Sequence, residues 1–345
     1  MEKIVINTNG SVSEILIGKN WESVTELLPE TGVAIITDNN IQRIYGGRFP
    51  DFPVFTIKAG EASKNLEVIE SLAERLIESG IDRTGLILGI GGGVVCDIGG
   101  FLASIYMRGI RCAYISTSLL SQVDASTGGK NGVNLGSTKN ILGCFKQPEF
   151  VICDQVMLQT LPEEEYFSGV AELIKTAIIG NKKLFEIIEN NQEGILRRDT
   201  ELLSMLVSMA VNFKATIVSE DEKESGLRRI LNFGHTYGHA IEMYKSFRHG
   251  YAVASGMALA ANFSLSRGYI SEEEFNRVIA LLKSFRLLRR HDIPDDQISQ
   301  LIMRDKKKSG NEIYFVFMGG IGKADVEKIP IIEAVDFYRQ NKPGN

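Results

Sequence analysis

The chain has 345 residues, of which 44% are hydrophobic and 23% charged, and it contains 34 glycines. This composition excludes a disordered or fibrous protein and is typical of a globular enzyme. The net charge of -5 and the scattered lysines do not support an extended nucleic-acid surface. Residues 1–10 lack a signal-peptide pattern, and no stretch of about 18 uncharged apolar residues occurs. We therefore expect a soluble cytoplasmic protein without a membrane or nucleic-acid partner.

In chain order, the first half alternates short apolar strands with helical segments. Runs typical of buried parallel strands occur at 33–38, 86–90, 112–116 and 150–154. Between the first two, residues 65–80 show helical spacing and end at a glycine, a common helix stop. Residues 1–160 are therefore predicted to form an α/β domain, a mostly parallel sheet with helices on both faces.

The second half is predicted to be mostly helical. Helical spacing dominates at 170–179, 201–218, 236–244 and 252–266, with one late strand predicted at 312–318. Because single cores usually stop growing at about 250–300 residues, we expect a separate α-helical domain over 161–345. The chain has four cysteines, Cys96, Cys112, Cys144 and Cys153. They form no CxxC pair and are interpreted as reduced core residues.

A glycine turn, Gly91–Gly93, directly follows the strand at 86–90, and Asp97 lies four residues beyond it. Such a turn lets backbone amides approach a phosphate at a helix N-terminus, although a tight turn without a ligand is the alternative. The dinucleotide fingerprint is not met, because Val94 replaces its last glycine. A phosphate-binding Walker loop is rejected, because Asp124 and Asn131 stand where glycine and Ser or Thr are needed.

Three of the four histidines, His235, His239 and His249, lie within fifteen residues. On a helix His235 and His239 share one face, and imidazole ligands suit zinc. The alternative is that they are hydrogen-bonded core or surface histidines. A zinc-protease HExxH motif is absent, because Thr236 replaces its glutamate.

The best candidate for a carboxylate ligand is Glu172, an acid in an apolar helical stretch with Lys175 one turn away. A buried acid needs a partner. An internal Glu–Lys ion pair and a site of two histidines and one carboxylate both satisfy that need, and both interpretations stay open here.

Several separated blocks together resemble one family. They are GEASK at 60–64, GGGVVCDIGGFLASIYMRGI at 91–110, STSLLSQVDASTGGKNGVN at 116–134, STKN at 137–140, LPEEEYFSGVAELIKTAII at 161–179, DEKESGLRRILNFGHTYGHAIE at 221–242 and HGYAVASGMA at 249–258. This combination is similar to the 3-dehydroquinate synthases of the sugar phosphate cyclase superfamily. The resemblance implies a Rossmann-like NAD-binding domain followed by an α-helical metal- and substrate-binding domain, in a homodimer.

The same resemblance implies a carbon–oxygen lyase of the shikimate route to chorismate and aromatic amino acids. Its substrate is 3-deoxy-D-arabino-heptulosonate 7-phosphate, and its products are 3-dehydroquinate and phosphate. The expected sequence is transient oxidation by NAD, phosphate elimination, reduction, ring opening and an intramolecular aldol closure. The substrate's own phosphate is a candidate base for the elimination.

The resemblance also assigns residues. The metal ligands, for zinc or cobalt, are Glu172, His235 and His249, which leaves His239 a supporting or proton-transfer role. The NAD-binding positions are Asp38, Asn40, Glu61, Lys64, Gly92, Gly93, Val94, Val95, Cys96, Asp97, Thr117, Ser118, Lys130, Lys139, Met157, Leu158, Gln159, Thr160, Leu161 and Glu165. The substrate positions are Arg108, Asp124, Lys130, Asn140, Lys175, Lys214, Arg228, Asn232 and one of Lys306 or Lys307. Arg108 is expected to reach a neighbouring subunit's site.

Two positions depart from the family pattern: Ser118 replaces a common threonine, and Glu164 replaces the arginine of TLPxRE. Three other functions remain as alternatives. A cyclase for a sugar phosphate without a carboxylate is disfavoured by Arg228 and Asn232, which resemble carboxylate-side residues. A metal-dependent polyol dehydrogenase would release NADH, and a non-enzymatic nucleotide- or metal-binding module would leave the convergence of acids, lysines and histidines unexplained.

Overall fold

A computed structural model describes residues 1–8, 10–136, 138–305 and 310–342, with the side chains of residues 304 and 305 left undescribed. The chain divides into two compact units. Unit 1 comprises Met1–Leu161 and Leu203–Lys223, and unit 2 comprises Pro162–Leu202 and Glu224–Asn345. Unit 1 is therefore built from two separate stretches of sequence.

The strands of both units follow in chain order. They are β1 (Glu2–Thr8), β2 (Ser11–Ile17), β3 (Val33–Asp38), β4 (Val54–Ile57), β5 (Leu86–Gly91), β6 (Arg111–Ser116), β7 (Lys130–Leu135), β8 (Thr138–Phe145), β9 (Phe150–Cys153), β10 (Glu312–Met318) and β11 (Ala324–Pro330). The strands predicted in both halves are confirmed. The hairpins β1–β2 and β7–β8, and strands β4 and β11, were not predicted.

The α-helices are α1 (Asn39–Tyr45), α2 (Leu66–Glu78), α3 (Gly93–Ile105), α4 (Glu163–Gly180), α5 (Lys182–Asn190), α6 (Gln192–Leu196), α7 (Thr200–Glu220), α8 (His235–Lys245), α9 (His249–Ser266), α10 (Glu272–Ser284), α11 (Asp295–Asp305) and α12 (Ile331–Asn341). All predicted helical segments are confirmed. Short 3-10 turns connect several elements, notably at Glu61–Ser63, Tyr106–Arg108, Gln155–Thr160 and Leu227–Asn232.

The main sheet of unit 1 has the order β1-β2-β9-β6-β5-β3-β4. Its strands pair in parallel except for β1, which pairs antiparallel with β2 at the edge. Every residue of β5 is buried, which explains why this strand is apolar throughout rather than alternating. The parallel sheet and helical second half confirm the predicted fold class.

The strand order reverses at β3, because β4 lies on one side of it and β5 on the other. Thr37 of β3 pairs with Ile90 of β5, so the acid ending β3 and the glycines after β5 leave the sheet side by side. Ligands of open α/β sheets bind beyond the carboxyl ends of the strands at such a reversal. The topology therefore places Asp38 and Gly91–Gly93 where a nucleotide is expected.

In unit 2, α8 and α9 pack closely because small residues line their contact. A Cβ added to Gly256 of α9 would overlap the Gly234 carbonyl at the start of α8. A Cβ at Gly250, near the start of α9, would overlap the Ser168 backbone of α4. Three helices are thus held at backbone distance, which fixes the side chains that they carry.

Helix α7 is the one helix of the described chain that is long and apolar enough to cross a membrane, with a mean hydropathy of 1.6. More than half of its apolar window, 56%, is buried in the protein. It also carries Lys214, whose side chain forms an ion pair with Asp124 within unit 1. These are properties of a core helix, so α7 is weak evidence for a membrane span.

Candidate active site

In unit 2, Glu172, His235 and His249 lie together. Glu172 is 1% exposed on α4, and the histidines begin α8 and α9. Glu172 Oε1 lies 3.9 Å from His235 Nε2 and 3.3 Å from His249 Nε2. One donor atom from each residue falls within 4.8 Å of the others. The structure therefore brings together the three predicted metal ligands, each from a different helix.

The Glu172–Lys175 ion pair expected as an alternative is also present, one turn apart on α4. Both side chains are almost completely buried, at 1% and 3% exposed. Glu172 therefore faces the Lys175 ammonium and two imidazoles at once, and the two interpretations of this acid coexist.

The electrostatic surroundings of His235 and His249 shift their pKa values in opposite directions. Burial lowers the pKa of His235 well below its ordinary value, and the positive Lys175 acts in the same direction. Burial also acts to lower the pKa of His249, but hydrogen bonds to Glu172 and Glu242 outweigh it and raise this pKa to about 10. His235 is thus a neutral imidazole, whereas His249 lies between two carboxylates.

The donor set fits a divalent cation. His235 directs Nδ1 to the Phe233 carbonyl at 3.1 Å, and His249 directs Nδ1 to Glu242 Oε2 at 3.2 Å. Both rings consequently present Nε2 towards the Glu172 carboxylate. Two imidazole nitrogens and a carboxylate oxygen are the ligands of an open zinc or cobalt site.

In unit 1, the glycine turn leads directly into α3, whose N-cap is Gly92. Because glycine has no side chain to cap the helix, the first-turn amides need another acceptor, and a phosphate suits them. A Cβ at Gly91 would overlap Val95, and one at Gly93 would lie 3.1 Å from Ala125 Cβ. The turn is shaped for backbone approach and fits the pyrophosphate of NAD.

Beside this turn a buried lysine gathers polar groups. Lys64, 4% exposed, donates to Asp97 Oδ2 at 2.5 Å and to Asn140 Oδ1 at 2.6 Å. Glu61 Oε1 lies 3.8 Å from the same ammonium and accepts from Asn134 Nδ2 at 2.9 Å. Burial raises the pKa of Asp97 to about 6 although Lys64 acts to lower it. Asn140, predicted on the substrate side, therefore joins predicted NAD-site residues in one network.

The other predicted NAD-site residues lie at strand ends and on the hairpin. Asp38 ends β3, Asn40 lies in α1, Thr117 and Ser118 follow β6, Lys130 and Lys139 lie on β7 and β8, Met157 to Leu161 follow β9, and Glu165 lies in the first turn of α4. Asp38 Oδ1 caps α1 by accepting from the amides of Asn40 and Ile41.

Four of these predicted residues are too buried to offer a side chain. Val95, Cys96, Met157 and Leu158 are at most 1% exposed. Only their backbone is available for a ligand.

Cys112 and Cys153 are also buried, but Cys144 is partly exposed, so the expectation of four core cysteines was wrong for Cys144. No residue of its strand β8 is buried.

Several predicted substrate residues contact polar neighbours within their own unit. Within unit 1, Lys214 donates to Asp124 Oδ1 at 2.5 Å and to its backbone carbonyl at 2.6 Å. Within unit 2, Asn232 donates to Glu224 Oε1 at 2.5 Å, and Arg228 is 2% exposed in the same 3-10 turn. Lys306 and Lys307 lie outside the described residues.

Arg108 occupies a strained turn at the end of α3. Met107, Arg108 and Gly109 have consecutive positive φ angles of 48°, 71° and 118°. A side chain in this region costs about 1–3 kcal/mol, and such strain collects at functional sites. The turn leaves the Arg108 side chain exposed.

Three residues of unit 2 near the predicted site were missed. Glu242 contacts His249, Glu224 contacts Asn232, and Arg248 forms ion pairs with Glu164 and Glu165. Glu242 follows His239 by three residues, so helical spacing was a usable signal for it. Arg248 lies far from its partners in sequence, and no local pattern indicates that contact.

Comparison with known proteins identifies the family. The family models described as 3-dehydroquinate synthase N-terminal and C-terminal match residues 54–168 and 169–308. A 3-dehydroquinate synthase of Dehalococcoides mccartyi (strain CBDB1) is 40% identical over 94% of this chain and 95% of its own. One from Thermoanaerobacter sp. (strain X514) is 44% identical over 89% and 90%.

A solved structure shares the fold of this chain. It is 2-epi-5-epi-valiolone synthase from Streptomyces hygroscopicus subsp. jinggangensis 5008 with NAD+ and Zn2+ bound. It is 25% identical, covers 97% of this chain and 99% of its own, and superposes with a TM-score of 0.87. With both family models matched in chain order, the chain belongs to the 3-dehydroquinate synthase family.

Proposed function

We propose that the chain converts 3-deoxy-D-arabino-heptulosonate 7-phosphate into 3-dehydroquinate and phosphate, with NAD and zinc or cobalt as cofactors. The observation that carries the proposal is the cluster of Glu172, His235 and His249 in a chain of this family. We also propose that it acts in the cytoplasm as a homodimer in which Arg108 serves the neighbouring subunit's site.

Glu172, His235 and His249 would hold the metal through one carboxylate oxygen and two Nε2 atoms. A divalent cation there supplies Lewis-acid stabilisation of charge on substrate oxygens, worth several kcal/mol. The Lys175 ammonium pairs with the buried Glu172 carboxylate, and an opposite charge offsets part of the cost of burying it. His239 lies one turn along α8, with its ring centroid 5.1 Å from that of His235, and we assign it proton transfer.

In unit 1, the first-turn amides of α3 would bind the NAD pyrophosphate, and the residues at the ends of β3 and β6 would orient the nucleotide. When bound there, NAD would supply a hydride acceptor for oxidation of a secondary alcohol and a hydride donor for the later reduction. Lys64 positions Asp97 and Asn140 by donating to both. This network keeps the hairpin residue Asn140 in a fixed place beside α3.

The substrate carries a carboxylate and a phosphate, and the proposed contacts are cations with matching chemistry. Arg228 would grip the carboxylate, because a guanidinium binds a carboxylate through two parallel hydrogen bonds. Asn232, in the same 3-10 turn, would donate to a neighbouring oxygen. Lys175, Lys214 and one of Lys306 or Lys307 would bind the remaining anionic and hydroxyl groups.

The test is phosphate release from the heptulosonate phosphate by the purified chain with added NAD and zinc. We expect many phosphates per bound NAD and no net accumulation of NADH. Stoichiometric NADH formation would instead identify a polyol dehydrogenase. No release from a folded, metal-loaded protein would leave a binding module.

Two variants divide the proposal further. His235→Ala should abolish metal-dependent turnover, because it removes one of three ligands. Arg228→Ala should mainly impair substrates that bear a carboxylate, with activity on a heptulose phosphate lacking that group comparatively unaffected. A wild-type preference for the analogue without a carboxylate would indicate a different sugar phosphate cyclase.

A further inference from the structure

The two histidines of the proposed metal site are held by different kinds of partner. His235 Nδ1 contacts the Phe233 carbonyl, a backbone group two residues away. His249 Nδ1 contacts a side chain, the carboxylate of Glu242, at 3.2 Å. The orientation of His249 therefore depends on a residue that substitution can remove, whereas that of His235 does not.

We propose that Glu242 is a positioning residue for the metal site: its carboxylate accepts from His249 Nδ1 and so aims Nε2 at Glu172. The proposal rests on the proposed metal site of Glu172, His235 and His249. A ligating imidazole whose other nitrogen donates to a carboxylate is fixed in tautomer and ring orientation and becomes a stronger ligand.

The position of Glu242 suits this role. It lies near the end of α8, and its backbone carbonyl accepts from the amide of Ser246, a left-handed residue that terminates the helix. His249 begins α9 directly after that turn. The side-chain contact thus joins the last turn of α8 to the first residue of α9 across a three-residue connection.

His249 needs such a restraint more than His235 does. The side chain of His249 is 32% exposed and that of His235 is 10% exposed, so less packing restricts the first ring. Glu242 itself is 13% exposed, so its hydrogen bond is shielded from much of the solvent. Fixing a ligand before the metal arrives lowers the entropy lost on binding.

A different use of the same atoms is a second cation site. Donor atoms of His239, Glu242 and His249 also lie within 4.8 Å of one another. A cation bound there would compete for the region around His249 Nδ1, which already faces the Glu242 carboxylate. We therefore interpret the contact between His249 and Glu242 as one that positions His249. The number of zinc ions bound per chain distinguishes this role from a second cation site.

The experiment measures zinc affinity, by competition with a chelating dye, and zinc stoichiometry for the full chain and its variants. Glu242→Ala and Glu242→Asp remove the contact, the second by shortening the side chain. Glu242→Gln keeps an acceptor of the same length without the charge. Met243→Ala is the matched control, because this neighbouring α8 residue is 42% exposed. Thermal melting of the metal-free proteins verifies folding.

We expect zinc affinity to fall by about tenfold to a hundredfold in Glu242→Ala and Glu242→Asp. Glu242→Gln should lose less, and Met243→Ala should match the wild type, with one zinc per chain throughout. Unchanged affinity in whichever shortened variant folds would overturn the proposal, as would equal losses in Gln and Ala. Two zinc ions in the wild type, one of them lost in Glu242→Ala, would establish a second site instead.

Failure of the positioning role can be distinguished from failure of the proposed function. A wild type that binds zinc but releases no phosphate contradicts the proposed function and leaves the Glu242 measurement intact. A wild type that releases phosphate with NAD and zinc, while Glu242→Ala binds zinc normally, contradicts the positioning role alone.

Discussion

The glycine turn of unit 1 and the proposed metal cluster of unit 2 present different kinds of chemical group, backbone in the first and side chains in the second. The turn presents backbone amides. It has no room for a side chain at Gly91, because a Cβ there would overlap Val95. The cluster consists of side chains on three helices that approach closely at Gly250 and Gly256. In the first region substitution acts through shape, and in the second it acts through charge and ligand number.

This difference determines how each region should fail. A backbone site tolerates changes in residue type as long as the chain path is kept. A site of buried ionisable groups does not, because removing one member leaves another charge without compensation. From the largest expected effect to the smallest, substitutions at Glu172 and Gly91 test that contrast, and those at His291 and Glu164 measure effects outside the two regions.

Glu172→Ala should have the largest effect. It removes a proposed metal ligand and the carboxylate that pairs with Lys175, which is 3% exposed. We expect phosphate release to fall at least about a thousandfold, because several kcal/mol of charge stabilisation is lost. Stability should fall by about 3–5 kcal/mol in a denaturant titration.

The control for this change is Glu186→Ala, which removes an exposed acid from α5 of the same unit. It should leave turnover unchanged and shift stability by less than about 0.5 kcal/mol. If Glu172→Ala were as mild as the control, the contrast between the two regions would be lost.

His291 should give unit 2 a pH-dependent stability that is unrelated to the metal cluster. It is 3% exposed, and its Nδ1 lies 3.3 Å from the Tyr338 hydroxyl. Burial lowers the pKa of His291 to about 4. The unfolded chain then binds more protons between pH 4 and 6.5, so stability is full above pH 6.5 and falls as pH drops to 4. The loss should reach about 3 kcal/mol.

The measurement is the free energy of unfolding of wild type and His291→Leu at intervals between pH 4 and 7. Other groups also titrate in this range, so the difference between the two proteins isolates His291. Parallel pH profiles would show that this buried histidine does not contribute.

Gly91→Ala should perturb the glycine turn through shape alone. Its new Cβ overlaps Val95, and overpacking of this kind costs about 1–3 kcal/mol. NAD affinity, measured by fluorescence titration, should fall with it because the turn moves. Adding Val95→Gly removes the Val95 Cβ, which would lie 2.5 Å from the new Cβ, together with both methyl groups, and should restore part of the NAD affinity. A double variant no better than the single one would contradict a steric cause.

Glu164→Arg should have the smallest effect. It restores the family's arginine but places it beside Arg248, whose Nε donates to Glu164 at 2.7 Å. Both side chains are largely solvated, at 46% and 63% exposed. Exposed pairs contribute about 0.2–1 kcal/mol, so the melting temperature should drop only slightly. In an Arg248→Ala background the same change should be neutral.

The sequence predicted the elements that depend on local pattern. The buried strands β3 and β5 were found because a parallel sheet covered on both faces is continuously apolar. Helices α4 and α9 were found from apolar spacing. The β7–β8 hairpin was missed, because its side chains are mostly half-exposed or exposed and each strand contains a glycine. Such strands carry a weak alternation signal.

The candidate site divides in the same way. His235 and His239 were paired correctly on one helix because spacing of four residues is enough to place them on one face. The convergence of Glu172 with His249 depends on how α4 packs against α9, and the residues alone left its role open between an ion pair and a ligand. The Arg248–Glu164 contact joins residues 84 positions apart, and one sequence contains no signal for it.

The division of unit 1 into two stretches bears on how the chain can be synthesised and cut. Residues 203–223 complete a unit whose first stretch ends at Leu161, and they supply the lysine that pairs with Asp124. When the strands of the main sheet have been synthesised, the nascent chain still lacks helix α7. Ribosomes add only about 5–20 residues per second. The first unit therefore waits several seconds for its last helix, and no single cleavage of the chain yields all of it without residues of unit 2.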